Sequence, residues 1–177
     1  MLKNYQELCI TPSDINVHLP VLKEYTAQCS HVTEFGVRDC VSTYAFIEGR
    51  PTVLKCYDYI HHENMIDARG YALTVDVDIE FIIGSTLEVE IAPTDFLFID
   101  TKHNYLQLNA ELLRHADKAK KFIGFHDVVT FGLKNEFEEA GKQGLTPAIF
   151  EFLQRDKNWQ VDYYSYECNG LLILKRV

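Results

Sequence analysis

The chain has no clustered basic surface. Its 177 residues include 17 Lys and Arg against 26 Asp and Glu, and the cations stand singly or in short groups. Neutralising a nucleic-acid backbone needs positive charge gathered on one face, so a net charge of −9 argues against nucleic acid as the main partner. The densest group, Lys118, Lys120 and Lys121, reads as a helix C-terminus whose dipole favours cations. No apolar run is long enough to span a bilayer, and no basic segment near the amino terminus leads into an apolar one. A soluble, cytoplasmic protein with no membrane partner is therefore expected. The five cysteines (Cys9, Cys29, Cys40, Cys56 and Cys168) contain no C-x-x-C spacing, and an odd count fits neither a closed disulfide framework nor a zinc ribbon. Free thiols in a reducing compartment are the simpler reading. Internal repeats and low-complexity segments are also missing. With 47% hydrophobic residues the chain suffices for one domain with a full core, but is too short for a second, substrate-binding one.

What is present is an alternation of short apolar runs and amphipathic segments. Thr11 to Asp14 is predicted to start a helix in which Ile15, Leu19, Leu22, Tyr25 and Cys29 recur at helical spacing and Pro20 makes a kink. Residues 1–30 then form a helical cover over a core of residues 31–177. Five strands are expected at His31 to Val37, Thr52 to Asp58, Asp78 to Gly84, Asp95 to Asp100 and Phe122 to His126. Helices at Ser42 to Glu48, His61 to Tyr71 and Tyr105 to Ala119 are expected between them, the last with a stripe of Leu108, Leu112 and Ala116. A polar segment with the character of a mobile loop runs to Gly144, and Pro147 to Leu153 is helical. Trp159 to Tyr166 and Leu171 to Lys175, separated by a turn containing Asn169-Gly170, read as a closing hairpin. The expected plan is strand and helix alternating for five units, closed by that hairpin.

Two of these runs end abruptly in acid and imidazole: Phe96 to Ile99 meets Asp100 with His103 beyond, and Phe122 to Phe125 meets His126 and Asp127. Runs of this kind read as strands buried on both faces, and ligands of open α/β sheets bind just outside the carboxyl ends of such strands. Upstream, the strand, tight turn and helix start around Gly36 and Ser42 would aim backbone N–H groups at an anionic ligand. Asp58 ends the next strand about 20 residues later, where a ribose-binding carboxylate is expected.

Glu34-Phe-Gly36 with Ser42, Asp58, Gly84-Ser85, Asp100 with His103, and His126-Asp127 fall in an order and spacing that resembles the class I S-adenosylmethionine-dependent methyltransferases. Within them the chain is most similar to the metal-dependent O-methyltransferases, the macrocin-type sugar enzymes and the cephalosporin hydroxylase-like group being nearer than catechol O-methyltransferase. The resemblance implies a Rossmann-like seven-stranded, mostly parallel α/β sheet with helices on both faces. It implies an S-adenosylmethionine site in which Glu34, Gly36 and Ser42 hold the methionine end, Asp58 the ribose, and Ser85 lies near the adenine. It further implies a divalent metal, Mg²⁺ foremost with Mn²⁺ or Fe²⁺ as alternatives, held by Asp100, His126 and Asp127. His103 is then the base that deprotonates a small hydroxylated or sugar acceptor, and a homo-oligomer fits a chain without a substrate cap. The sequence departs from the family at Cys40, where a second glycine is usual and a side chain would crowd the methionine, and at His126, where an acid is usual.

Blander readings remain open for these residues. Asp100 can cap the following helix, with Thr101 and Asn104 as further caps; His126 can be a buried, hydrogen-bonded histidine; His61 and His62 can simply be surface residues. Cys40 reads as a small buried filler in preference to a nucleophile. At the level of function the rivals are a non-catalytic binding module with an altered cofactor loop, and a non-haem Fe²⁺ oxygenase using Asp100, His103 and His126.

Overall fold

The computed structural model describes residues 4–137 and 142–177. One seven-stranded sheet is built from β1 (His31–Phe35), β2 (Val53–Asp58), β3 (Asp78–Ile83), β4 (Thr94–Ile99), β5 (Ala119–His126), β6 (Trp159–Ser165) and β7 (Leu171–Arg176). Its order is β3-β2-β1-β4-β5-β7-β6. The first five strands run parallel, β7 pairs antiparallel with β5, and β6 with β7. The fold is thus the expected mostly parallel α/β sheet with a closing antiparallel hairpin. Strand order reverses between β1 and β4, so the connections leaving them diverge and open a crevice beyond their carboxyl ends.

Helices α1 (Tyr5–Ile10), α2 (Leu19–Thr26), α3 (Val41–Gly49) and α4 (Asn64–Thr74) supply Tyr5, Leu22, Tyr44 and Met65 to the core on one face. Helices α5 (Tyr105–His115) and α6 (Leu145–Arg155) bury Leu108, Leu112, Ile149 and Phe152 on the other. Helix α3 is buried nearly all round because it lies between α2, α4 and the sheet. Strands β1, β4 and β5 are covered on both faces, which explains the unbroken apolar runs Phe96 to Ile99 of β4 and Phe122 to Phe125 of β5.

Several expectations are corrected. The N-terminal helix is two pieces: α1 is capped by the Asn4 side chain, which accepts from the Gln6 N–H at 2.9 Å, and α2 follows a 3₁₀ turn at Asn16–His18. Pro20 sits in the first turn of α2, where its missing N–H costs nothing. Strand–helix alternation fails once: residues 84–93 join β3 to β4 without a helix. The helix at Tyr105 stops at His115, because the chain must be extended by Ala119 to pair with Thr94 of β4. Lys120 and Lys121 therefore lie on β5, not at a helix end; the Lys121 ammonium donates to the Gln28 carbonyl at 2.6 Å. Part of the segment read as a mobile loop, residues 138–141, lies outside the described residues. Among the described residues no helix is long and apolar enough to cross a membrane.

Candidate active site

Strand β1 ends at a close approach. Gly36 has φ +83°, and a Cβ there would stand 1.9 Å from the Asp100 carbonyl oxygen, so β1 and β4 can reach this spacing only with glycine. The Asp100 N–H donates to the Phe35 carbonyl at 2.8 Å and the Gly36 N–H to that of Tyr57 at 2.9 Å, tying the ends of three strands together. Beyond them lies a cavity of about 690 Å³ lined by Gly36, Ser42, Asp58, Ser85, Asp100 and His103. That volume suits a ligand of cofactor size.

The other expected cofactor residues divide. Glu34 is fully buried and does not line the cavity. Its carboxylate accepts from the Ser42 hydroxyl at 2.6 Å and the Thr43 hydroxyl at 2.8 Å, fastening the first turn of α3. Burial raises its pKa to about 7 against the lowering effect of those hydroxyls. Asp58 does line the cavity, but its oxygens already accept from the backbone N–H groups of Val37 (2.9 Å), Arg38 (3.1 Å) and Ile60 (3.1 Å), so it shapes the glycine loop. Cys40 takes the left-handed backbone (φ +61°) that a glycine would supply, and its side chain packs in the core outside the cavity lining. The expected crowding of the methionine by Cys40 is thereby removed.

The paired strand ends converge. His103 Nε2 lies 2.8 Å from Asp127 Oδ2 and 3.2 Å from Asp100 Oδ1, and its ring stacks on Phe131 at 4.7 Å and 5°. One ligand atom each from Asp100, His103 and Asp127 falls within 4.8 Å of the others. His126, only 1% exposed, places Nε2 3.0 Å from the Asp14 carbonyl oxygen. A carbonyl only accepts, so Nε2 carries a proton and Nδ1 is the nitrogen that faces Asp100 and Asp127, 3.4 Å from each. This is how a metal-ligating histidine is held: one nitrogen donates to an orienting oxygen, and the other faces the ion. His126 Nδ1 and Asp127 Oδ1 are both buried with no hydrogen-bond partner. Two carboxylates and an imidazole nitrogen, with His126 Nδ1 and Asp127 Oδ1 left unsatisfied, make a donor set that fits a divalent cation.

Electrostatics agree. Burial opposes protonation of His103 and His126, yet the two carboxylates overcome it and raise their pKa values to about 9 and about 10. Burial would lift the carboxylates, but the imidazoles hold Asp100 and Asp127 below the ordinary range. The cluster draws in positive charge.

Some residues at the site escaped the sequence reading. The Asp14 carboxylate takes a forked hydrogen bond from Arg38 Nη2, at 2.9 and 2.7 Å, in addition to its carbonyl's role at His126. Glu136 docks the loop after β5 on His103 through its N–H, which donates to the His103 carbonyl at 3.0 Å. Gln107, Glu111 and His115 form a polar ladder on α5 that reaches the loop after β3. Their spacing of four, beside the Leu108 and Leu112 stripe, is a signal that could have disclosed them.

No protein-family profile matches the chain, and no curated protein matches it by sequence. Solved structures do. An O-methyltransferase from Bacillus cereus in complex with S-adenosylhomocysteine aligns with a TM-score of 0.63 at 13% identity, over 95% of this chain and 82% of its own. The N-methyltransferase NodS from Bradyrhizobium japonicum, also with S-adenosylhomocysteine, gives 0.63 at 10% identity over 97% and 96%. The O-methyltransferase TomG from Streptomyces achromogenes, in complex with SAM, gives 0.62 at 15% identity over 89% and 80%. With this strand order and these neighbours, the chain has the fold of the class I S-adenosylmethionine-dependent methyltransferases.

Proposed function

We propose that this protein is an S-adenosylmethionine-dependent, divalent-metal-assisted O-methyltransferase acting on a small hydroxylated molecule or a sugar. The observation that carries the reading is continuity: the cavity walled by Gly36, Ser42, Asp58 and Ser85 runs directly into Asp100 and His103, whose partners are Asp127 and His126. Methyl transfer needs donor and acceptor sites that share one wall, and Asp100 belongs to both. O- and N-methyltransferases alike occur among the structural neighbours, and the acid–imidazole cluster is what favours a hydroxyl acceptor.

When bound, S-adenosylmethionine supplies an electrophilic methyl group and a divalent cation supplies the Lewis acidity that lowers the acceptor hydroxyl's pKa. Asp100 and Asp127 would hold the cation through carboxylate oxygens, and His126 would do so through Nδ1, the nitrogen left facing them by the Asp14 carbonyl at Nε2. The imidazole in this set favours Mn²⁺ or Fe²⁺ more than an all-oxygen site would, while Mg²⁺ is served by the two carboxylates. With Asp100 and Asp127 committed to the cation, His103 would lose the partners that raise its pKa to about 9. It would then receive the hydroxyl proton at Nε2, its ring held flat against Phe131. Gly36 lets the donor loop lie against the Asp100 backbone, so the reacting groups are held together, the largest saving such a site can offer.

Calorimetric titration with S-adenosylhomocysteine tests the donor site, and titration with Mg²⁺ and Mn²⁺ the acceptor side. Binding of both is expected. No heat at millimolar S-adenosylhomocysteine would favour a non-catalytic binding module, and iron- and oxygen-dependent turnover without a methyl donor would favour the oxygenase.

A further inference from the structure

Glu111 is 0% exposed, yet it belongs to neither the metal cluster nor the glycine loop. Its carboxylate collects four contacts from three side chains: the Thr86 hydroxyl at 2.5 Å, the Thr101 hydroxyl at 2.9 Å to each oxygen, and Gln107 Nε2 at 2.8 Å. Thr86 stands in the loop after β3 beside Ser85, and Thr101 directly follows Asp100. One buried acid on α5 thus clamps the loops that follow β3 and β4. His115, one turn further along α5, adds its Nε2 to the Thr86 carbonyl at 2.7 Å. Residues 84–93 form no helix, so the first turns of α5 stand beside this loop.

The clamp fixes the polarity of the Gln107 amide. Thr86 gives its proton to Glu111, so its oxygen presents a lone pair to Gln107 Nε2, 3.1 Å away. The two amide protons of Gln107 are thereby committed, one to Thr86 and one to Glu111. Flipping the amide would set its oxygen against a carboxylate, so the orientation is locked. What remains is the side-chain carbonyl oxygen, for which no hydrogen-bond partner exists among the described residues, on a residue that lines the cavity together with Ser85 and Thr86. The wall here offers an acceptor and no donor from this side chain.

We infer that Gln107, locked by Glu111, selects the base of the methyl donor, its side-chain carbonyl accepting from an exocyclic amine such as that of adenine. The inference rests on the donor cavity proposed above and adds to it a residue that sets specificity, with Glu111 as the positioning residue behind it. A purine with a carbonyl in place of the amine would bring two acceptors together and be rejected.

The test compares calorimetric affinities for S-adenosylhomocysteine and S-inosylhomocysteine. The wild-type protein should prefer the adenosyl ligand by about tenfold or more, the order expected of one neutral hydrogen bond and the repulsion that replaces it. Gln107→Leu should bind S-adenosylhomocysteine about tenfold more weakly and discriminate less than threefold. Glu111→Gln, which keeps an acceptor oxygen for Gln107, should retain the preference; Glu111→Leu should lose it even though Gln107 is intact. Gln107 is only half-buried, so its variant should fold with an unchanged circular dichroism spectrum whatever becomes of Glu111→Leu. If the wild type binds both ligands equally, or if Gln107→Leu keeps the full preference, the inference falls and the donor site stands. Failure of the wild type to bind either ligand would sink the donor site and the inference together.

Discussion

At the scale of single residues the cluster separates into roles that substitutions can tell apart. Asp100→Ala and Asp127→Ala should abolish metal-stimulated turnover and the calorimetric metal signal while leaving S-adenosylhomocysteine affinity nearly intact; unchanged activity in either removes that residue from the metal site. His103→Ala should lower kcat, and a loss confined to KM would make it a substrate-binding group instead. Glu34 offers a separate prediction through pH. Its folded pKa, about 7, lies above the ordinary carboxylate value it has when unfolded, so the native state binds the extra proton. Stability from this group is complete below about pH 4.5 and is lost as pH rises through 7, by on the order of 3 kcal/mol in full. Melting curves from pH 4.5 to 8 should show the wild type losing ground to Glu34→Gln across that window, and parallel curves would refute the assignment. The acid and imidazole residues were legible because they interrupt apolar runs. Asp14 was not, since its part beside His126 is played by a backbone carbonyl, which has no signature in sequence. Glu34 was read as a cofactor ligand because its position suggests one, and only the Ser42 hydroxyl in between shows that it works from behind the wall.

Elements were legible where their period was clean. The five parallel strands and the Asn169-Gly170 hairpin appear where apolar runs and turn residues put them, within a residue or two at each end except for β5, which starts three residues before Phe122. The helix-free link between β3 and β4 agrees with the elements read from the sequence, which placed no helix between Gly84 and Asp95, and departs only from the general plan of alternation. The hairpin also packs against the segment that follows Asp127. Gly170 has φ +95°, and a Cβ on it would fall 2.5 Å from a Val129 methyl and 2.8 Å from the Val129 nitrogen. The Val129 N–H in turn donates to the Asn169 carbonyl at 2.8 Å, two residues beyond Asp127. Gly170→Ala should therefore destabilise the protein by about 1–3 kcal/mol, from backbone strain and the forced shift. By displacing the segment after Asp127 it should weaken metal binding more than S-adenosylhomocysteine binding. Equal losses in both titrations would place the damage in the fold at large.

For the whole molecule, the proposed function makes the cavity and the cluster two binding sites built on one sheet, so on that reading both ligands should stabilise it. Each ligand at a hundredfold excess over its dissociation constant contributes about 2.7 kcal/mol, which for a chain of this size raises the melting temperature by roughly 5–10 °C. S-adenosylhomocysteine and Mn²⁺ should each produce such a shift, and Asp127→Ala should lose only the second; a metal shift that survives Asp127→Ala would put the ion elsewhere. The two sites are nevertheless not separable by descent or by design. The Cβ that Gly36 lacks would overlap the backbone of Asp100, so any heavier residue at that one position deforms the loop after β1 and the position of Asp100, the proposed donor and metal sites, in the same event. A library that randomises position 36 to change donor preference should return glycine in every active clone. Loss of one activity through that position would carry the other away with it, and neither could be retuned there while the other is kept.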